Sequence, residues 1–217
     1  MMRRTICATV LLLTASPLFA EQMVGQVMGD RFEYREAEES LLWDVLGWYG
    51  GDINKFAFRT EGRRLEGGFD VGEFQLLYRR AISPYFDLQV GARHSWIENE
   101  TVNSAVVNIM GDAPYGFEID ASLFVTEDGD PLIRAEVERD ILMTQRLILQ
   151  PRIELNAAFS NVPDLGIGSG IYELQADLRL RYEFSRKFAP YIGVSHEELD
   201  DFNLSETSFV LGARFWF

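Results

Sequence analysis

Cysteine and histidine are nearly absent from this chain, which has one Cys and two His among 217 residues. A single thiol cannot form a disulfide framework or a cysteine-rich metal cluster. Positive charge is also scarce, because 20 Lys and Arg stand against 34 Asp and Glu, a formal net charge of −14. Phosphate would repel such a chain, so its charge excludes nucleic acid as a partner.

Long apolar runs are missing too, apart from residues 6–13 near the start. That run follows the basic residues Arg3 and Arg4 and is followed by small residues that end at Ala20. This order is typical of a secretory signal peptide, and the run is too short to cross a bilayer as a helix. We therefore predict a signal peptide at residues 1–20 and a single exported domain at 21–217. Cys7 would be removed, which suits an oxidising compartment.

The rest of the chain alternates between apolar and polar residues, for example in YELQADLRLRYE at residues 172–183. A period of two indicates strands, whose successive side chains point to opposite faces. Twelve segments show it: 24–36, 39–49, 53–62, 69–80, 84–96, 102–112, 115–126, 131–143, 146–159, 171–184, 188–198 and 206–217. Most exceed the length of strands in soluble sheets and are long enough to cross a bilayer at a tilt.

The links between the predicted strands alternate in length. Short links at 50–52, 81–83, 112–114, 144–145 and 185–187 separate longer ones at 63–68, 97–101, 127–130, 160–170 and 199–205. Outer-membrane barrels have short periplasmic turns and long external loops. We therefore predict an all-β fold, a transmembrane antiparallel outer-membrane β-barrel of about 12 strands with a polar lumen. A soluble sandwich or lipocalin-like barrel also alternates, but strand length, strand number and the aromatic chain end favour the membrane barrel.

If the apolar face meets outer-membrane lipid, the polar face lines the lumen. Its candidate residues are Lys55, Arg59, Glu73, Asp87, Gln89, Arg93, Glu118, Asp120, Arg134, Glu136, Arg152, Glu154, Asp177, Arg179 and Arg181. Two interpretations stay open. Opposite charges on facing strands attract and could form a plug of salt bridges and water. Alternatively, the Asp and Glu side chains could line a pathway for a cation.

Several motifs carry a family resemblance. GGDINKF at residues 50–56, EFQLLYRRAI at 73–82, TQRLILQPR at 144–152 and ARFWF at 213–217 resemble the copper resistance protein B family of the bacterial outer membrane. The resemblance extends over the chain from about residue 25. It implies an outer-membrane barrel that aids copper tolerance by binding, exporting or sequestering copper ions. It also implies a periplasmic partner, a copper protein of the multicopper oxidase type.

Copper ligands are sparse in this chain. Many members of the family carry a long His- and Met-rich tail before the barrel, whereas this chain offers Met23 and Met28 there. Thioether sulfur suits Cu(I) and imidazole suits copper generally, so the candidates are Met23, Met28, His94 and His196. Two methionines are far short of a chelating cluster, and the favoured interpretation is that both are ordinary strand residues. Both histidines fall on the outward register and could belong to the interfacial aromatic belt.

An outer-membrane hydrolase is a further alternative, and so is a barrel that is only a passive cation pore or a membrane anchor. Catalysis would need His94 or His196 beside a nucleophile. Ser95 follows His94, but adjacent strand residues point to opposite faces. The sequence contains no nucleophile elbow, metal-binding helix or phosphate loop. We therefore predict that the protein is not an enzyme.

Overall fold

The computed structural model describes residues 22–217, except 66, 67, 69, 98, 99 and 200–203, and it leaves out the side chains of Asp70 and Asp164. The predicted signal peptide at 1–20 lies outside the described residues. Those described form twelve antiparallel strands that close into a barrel where β1 pairs with β12. The strands are β1 (Val24–Arg35), β2 (Ser40–Gly50), β3 (Asn54–Leu65), β4 (Asp70–Ala81), β5 (Phe86–Ile97), β6 (Glu100–Ala113), β7 (Phe117–Thr126), β8 (Pro131–Arg139, continued after Asp140 by Ile141–Leu142), β9 (Leu147–Ala158), β10 (Gly170–Tyr182), β11 (Phe188–Leu199) and β12 (Leu204–Trp216).

Each segment predicted from the alternation corresponds to one strand, so the predicted fold class is confirmed. Helical structure is confined to two single turns, Pro114–Gly116 and Pro163–Leu165, within the described ranges. No helix that is long and apolar enough to cross a membrane occurs in that part of the chain.

The barrel has two ends, which we name by their links. The turn end holds the start of β1, the end of β12 and the links 51–53, 82–85, 114–116, 143–146 and 183–187. The loop end holds the links 36–39, 66–69, 98–99, 127–130, 159–169 and 200–203. All five links predicted to be long therefore lie at one end, as expected.

Three of those five links are shorter than predicted. Strand bounds leave four residues at 66–69, two at 98–99 and four at 200–203, whereas the link 127–130 has its predicted four residues and the link 159–169 has the predicted eleven. At β3 the strand continues further than predicted, and a charged residue near its end has a partner inside the barrel. Arg63, placed in a loop by the sequence, is part of β3 and donates hydrogen bonds to Glu197 on β11 at 2.7 and 3.1 Å.

The barrel is apolar outside and polar inside, the reverse of a soluble barrel. Outward side chains such as Leu76, Ile153 and Phe209 are 57–70% exposed, whereas Arg152 and Arg179 on the inner face are 1–2% exposed. An apolar exterior of this kind meets hydrocarbon, and the closed sheet leaves no unpaired strand edge in it.

Candidate functional site in the lumen

The centre of the lumen is filled by buried ion pairs. Arg152 on β9 donates to Asp177 on β10 at 2.8 Å and to Glu136 on β8 at 2.6 Å, and it also contacts Glu154. Arg179 contacts the same Asp177 at 3.1 Å. Strand alternation turns all these side chains inward, and register places them side by side on β8, β9 and β10. The result is a connected layer of opposite charges and not isolated pairs.

Other pairs cross the lumen between strands that are not neighbours in the sheet. Arg59 on β3 donates to Asp120 on β7 at 3.0 Å. Arg134 on β8 donates to Glu73 on β4 at 3.1 Å and contacts Glu61 on β3. Because such pairs span the interior, side chains occupy the space that an open channel would need. This geometry favours the plug interpretation for the centre of the barrel.

The structure adds inward residues that the sequence did not single out. Towards the loop end, Arg35 donates to Glu197 at 2.8 Å, and Glu33 accepts hydrogen bonds from Arg179 at 3.2 Å and from the Tyr191 hydroxyl at 3.0 Å. Further members are Arg31, Asp44 and Arg63. Alternation through residues 31–35 was a usable signal for the β1 members.

All fifteen predicted lumen residues lie on the inner side of the barrel. Those not yet described are nearer the walls. Arg93 contacts Glu73 at 3.4 Å, Asp87 pairs with Arg79, and Arg181 donates to Asp140 at 2.5 Å. Gln89 donates to Asn108 at 2.9 Å. Lys55 stands 5.0 Å from the ring centre of Trp48, and Glu118 borders the cavity described next.

A cavity of about 480 Å³ lies at the turn end, bordered by the links that contain Asp52 and Ser83. We call it the turn-end cavity. Among the described residues, nine carboxylates and four cationic side chains line it, so acidic groups outnumber basic ones in the lining. The carboxylates are Asp30, Asp44, Asp52, Asp87, Asp112, Glu118, Asp120, Glu136 and Glu138, and the cations are Lys55, Arg59, Arg79 and Arg214.

Two thioethers also line the turn-end cavity, Met28 and Met110. Met110 on β6 lies in register between Asp87 on β5 and Asp120 on β7, and Gln89 donates to its sulfur at 2.7 Å. Arg214 donates to the sulfur of Met28 at 3.4 Å. The sequence reasoning missed Met110, although its place in the alternating segment 102–112 puts it on the inner face.

Glu138 differs from most acids of this cavity. It is 8% exposed and accepts a hydrogen bond from Gln150 at 3.1 Å, yet no described Arg or Lys forms an ion pair with it. No group of three or more His, Cys, Asp or Glu among the described residues is arranged to hold a metal ion. The cavity therefore offers dispersed negative charge and sulfur, in place of a compact chelate.

The other copper-ligand candidates do not join this cavity. Met23 is 53% exposed near the chain start. His94 on β5 shares a hydrogen bond with Asn103 at 2.9 Å, and His196 on β11 shares one with Thr207 at 2.8 Å. Both rings lie on the outer face towards the loop end, on strands far apart in the sheet. The structure does not bring the histidines together.

A closed antiparallel barrel with an apolar exterior and a charged, filled lumen defines the class of the protein: a β-barrel of the outer-membrane type. The family model described as "Copper resistance protein B precursor" matches residues 23–217, and the chain therefore belongs to the copper resistance protein B family.

Two curated relatives agree with the family model. The copper resistance protein B homolog of Pseudomonas syringae pv. tomato is 35% identical over 202 residues, and copper resistance protein B of Escherichia coli is 36% identical over 203 residues. Each alignment covers 88% of this chain and 69% of the relative.

Solved structures share the fold. The NanC porin superposes with a TM-score of 0.59 at 14% identity, covering 88% of this chain and 99% of the porin. The outer membrane phospholipase A of Escherichia coli superposes with a TM-score of 0.53 at 10% identity, covering 88% of this chain and 92% of the phospholipase. At these identities the likeness concerns the barrel alone.

Proposed function

We propose that this barrel supports copper resistance by taking copper ions from the periplasm into the turn-end cavity. The observation that carries the proposal is the composition of that cavity, in which nine carboxylates outnumber four cations and two thioethers are present. Carboxylates concentrate cations electrostatically. Thioethers select soft ions, Cu(I) above all, so the mixture suits copper better than it suits magnesium or calcium.

The orientation of the barrel decides which compartment the cavity serves. Both ends of the barrel chain, at Val24 and Trp216, lie at the turn end. Outer-membrane barrels have their longer loops outside and their turns in the periplasm, and the eleven-residue link 159–169 lies at the loop end. The cavity then opens to the periplasm, where the multicopper oxidase-type partner implied by the family resemblance would supply or receive ions.

The proposed role takes account of the finding that the described part of the chain offers no compact group of metal ligands. Scattered ligands hold an ion weakly and release it readily, which suits exchange with a partner more than permanent storage. The cross-lumen pairs of Arg59 and Arg134 argue against the simplest alternative, a passive cation pore, because they occupy the centre of the barrel.

Of the two histidines that catalysis would need, His196 shares a hydrogen bond with the Thr207 hydroxyl at 2.8 Å, and His94 has no nucleophile beside it among the described residues. His94 lies on the outer face, whereas Ser95 is 7% exposed on the inner face. The nearest hydrogen-bond partner of the imidazole is the amide of Asn103, which is no nucleophile. We propose that the protein acts by binding ions and catalyses no reaction.

Copper titration of the refolded barrel in detergent tests the proposal. Cu(I) under anaerobic conditions and Cu(II) in air are each competed against a chromophoric chelator. The double variant Met28→Leu/Met110→Leu keeps the apolar volume and removes both sulfurs, so we expect roughly a tenfold loss of Cu(I) affinity and a smaller change for Cu(II). The substitutions Glu118→Gln and Glu138→Gln, which remove two negative charges, should weaken the binding of both Cu(I) and Cu(II).

A matched control is Met143→Leu, which removes a sulfur that is 59% exposed and does not line the cavity. It should bind copper as the unmodified barrel does. Cells that lack the gene, complemented with each variant, connect binding to tolerance. Unchanged Cu(I) affinity in the double methionine variant, or full copper tolerance without the gene, would contradict the proposal.

A further inference from the structure

One oblique row of apolar side chains interrupts the charged lumen. Strand register connects its members pairwise from the turn end to the loop end: Trp48 with Ala57, Ala57 with Leu77, Leu77 with Gly91, Gly91 with Val106, Val106 with Phe124, Phe124 with Leu132, and Leu132 with Ala158. We call it the apolar row. Val106, Phe124 and Leu132 are only 1–2% exposed, although they face the lumen. Another part of the protein must therefore cover these three side chains inside the lumen.

The cover at the loop end is the link 159–169. Val162 is 3% exposed and belongs to the same hydrophobic cluster as Val106 and Phe124, and Leu165 and Ile167 pack against that cluster. The helical turn Pro163–Leu165 contacts β6, three strands away from β9, where the link begins. The link predicted as a long external loop therefore turns into the barrel.

Several hydrogen bonds hold the link in this inward form. Val162 and Ile167 exchange backbone hydrogen bonds at 2.8 and 3.2 Å. Gly166 adopts a left-handed conformation with φ 65°, which glycine allows without strain, and donates to the carbonyl of Pro163 at 3.0 Å. The Ser160 hydroxyl donates to Asp130 in the neighbouring link at 2.6 Å. The link is thus a folded unit joined to the barrel rim.

On the side of this unit that faces the centre of the barrel, two arginine side chains lie against the ring of Phe124. The guanidinium carbon of Arg93 lies 3.9 Å from the ring centre of Phe124, and that of Arg134 lies 5.5 Å from it. Both arginines also bind Glu73, so the aromatic ring separates the inserted link from the salt-bridge layer. A solute that enters from the loop end meets an apolar contact first and the charged layer second.

We propose that residues 159–169 form a plug that closes the loop end of the barrel, with Val162 seated on the apolar row. The lumen then exchanges ions at the turn end alone while the plug is seated. Movement of the link away from Phe124 opens the loop end. This inference depends on packing at the loop end and does not depend on copper binding in the turn-end cavity.

Thiol labelling from the loop end tests the plug, with Ser104→Cys, buried on the inner face of β6 beside the link, as the reporter for a membrane-impermeable thiol reagent. Val162→Asp places a carboxylate in the apolar contact, which is costly to bury unpaired, so the labelling rate of this cysteine should rise roughly tenfold or more. Ser169→Asp is the matched control, because it adds the same charge to the same link at an exposed position whose bond to Asn161 uses only the backbone N–H. We expect its reporter cysteine to be labelled as slowly as in the barrel that carries Ser104→Cys alone.

A second variant keeps the proposal testable if Val162→Asp fails to fold. Asp130→Asn weakens the bond to Ser160 while leaving the apolar contact intact, so brief openings should become more frequent. Folding of each variant is checked by its heat-dependent mobility in detergent gels. Equal labelling rates of the reporter cysteine in Val162→Asp, in Ser169→Asp and in the barrel with neither change would overturn the plug, whether those rates are high or low. Copper affinity at the turn-end cavity should be the same in all of them.

Discussion

Replacement of Arg152 by Met gives a direct measure of how much the buried charge layer stabilises the barrel. The Arg152 side chain is fully enclosed and contacts three carboxylates, those of Glu136, Glu154 and Asp177. Methionine fills most of the same volume without charge or hydrogen-bond donors. The substitution therefore removes the cation and leaves its partners in place.

The expected loss follows from the partners that remain. Asp177 keeps Arg179 at 3.1 Å, and Glu154 keeps Arg134 at 3.5 Å. Glu136 loses the only cation that forms an ion pair with it among the described residues. Removing one partner of a buried pair costs about 3–5 kcal/mol, because the other charge stays buried and uncompensated. We expect a loss in this range, carried mainly by Glu136.

Urea unfolding in lipid vesicles, followed by tryptophan fluorescence, measures the free energy of unfolding. Arg139→Met is the control, because Arg139 packs on the outward ring of Phe117 at 5.2 Å and should cost less than about 1 kcal/mol. The double variant Arg152→Met/Glu136→Gln should recover part of the loss. A loss below about 1 kcal/mol for Arg152→Met, or no recovery in the double variant, would refute the reasoning.

Two further predictions concern the backbone. In Gly91→Ala the new Cβ would approach the carbonyl oxygen of Leu76 to 1.9 Å, so the β4–β5 pairing should be disrupted and the heat-resistant folded band on detergent gels should diminish. Gly25→Ala, whose nearest neighbour would be the Tyr49 ring at 3.2 Å, is its control and should keep that band. Thr144→Ala removes the acceptor for the N–H groups of Arg146 and Leu147 at 3.2 and 2.9 Å, and should lower the unfolding free energy by about 0.5–1.5 kcal/mol in urea titrations. A Thr144→Ser variant should restore it, and failure to do so would assign the effect to the methyl group.

The alternation in the sequence predicted the strands and the face of each side chain, because the period of two is a local property of the backbone. It failed where the backbone departs from that period. A register shift in β1 between Gly29 and Arg31 puts Asp30 and Arg31, although adjacent in sequence, both in contact with inward partners, Arg214 and Asp44. Strict alternation cannot show such a bulge.

The candidate site was less predictable than the fold for a different reason. Alternation predicts that Arg59 and Asp120 face inward. It does not predict that they lie at the same height along the barrel axis, because that height depends on the stagger of all strands. The same limit hid the turn-end cavity, since Met28 and Met110 are 82 positions apart in the chain. The plug had a local signal, the apolar residues Val162, Leu165 and Ile167 within a loop.

The cross-lumen pairs also have a consequence for the order of folding. Besides Asp44 and Glu38, which are close in the chain, Arg59 and Arg63 of β3 also pair with Asp120 on β7 and Glu197 on β11, which follow much later. Until those strands arrive, the guanidinium groups of a half-formed sheet lack these partners and favour water over a closed interior. An incomplete barrel therefore gains little free energy from burying its inner face. Most of the stabilisation from these ion pairs forms only when the last strands join. We expect closure of this sheet to be a cooperative step, with few stable partial barrels along the way.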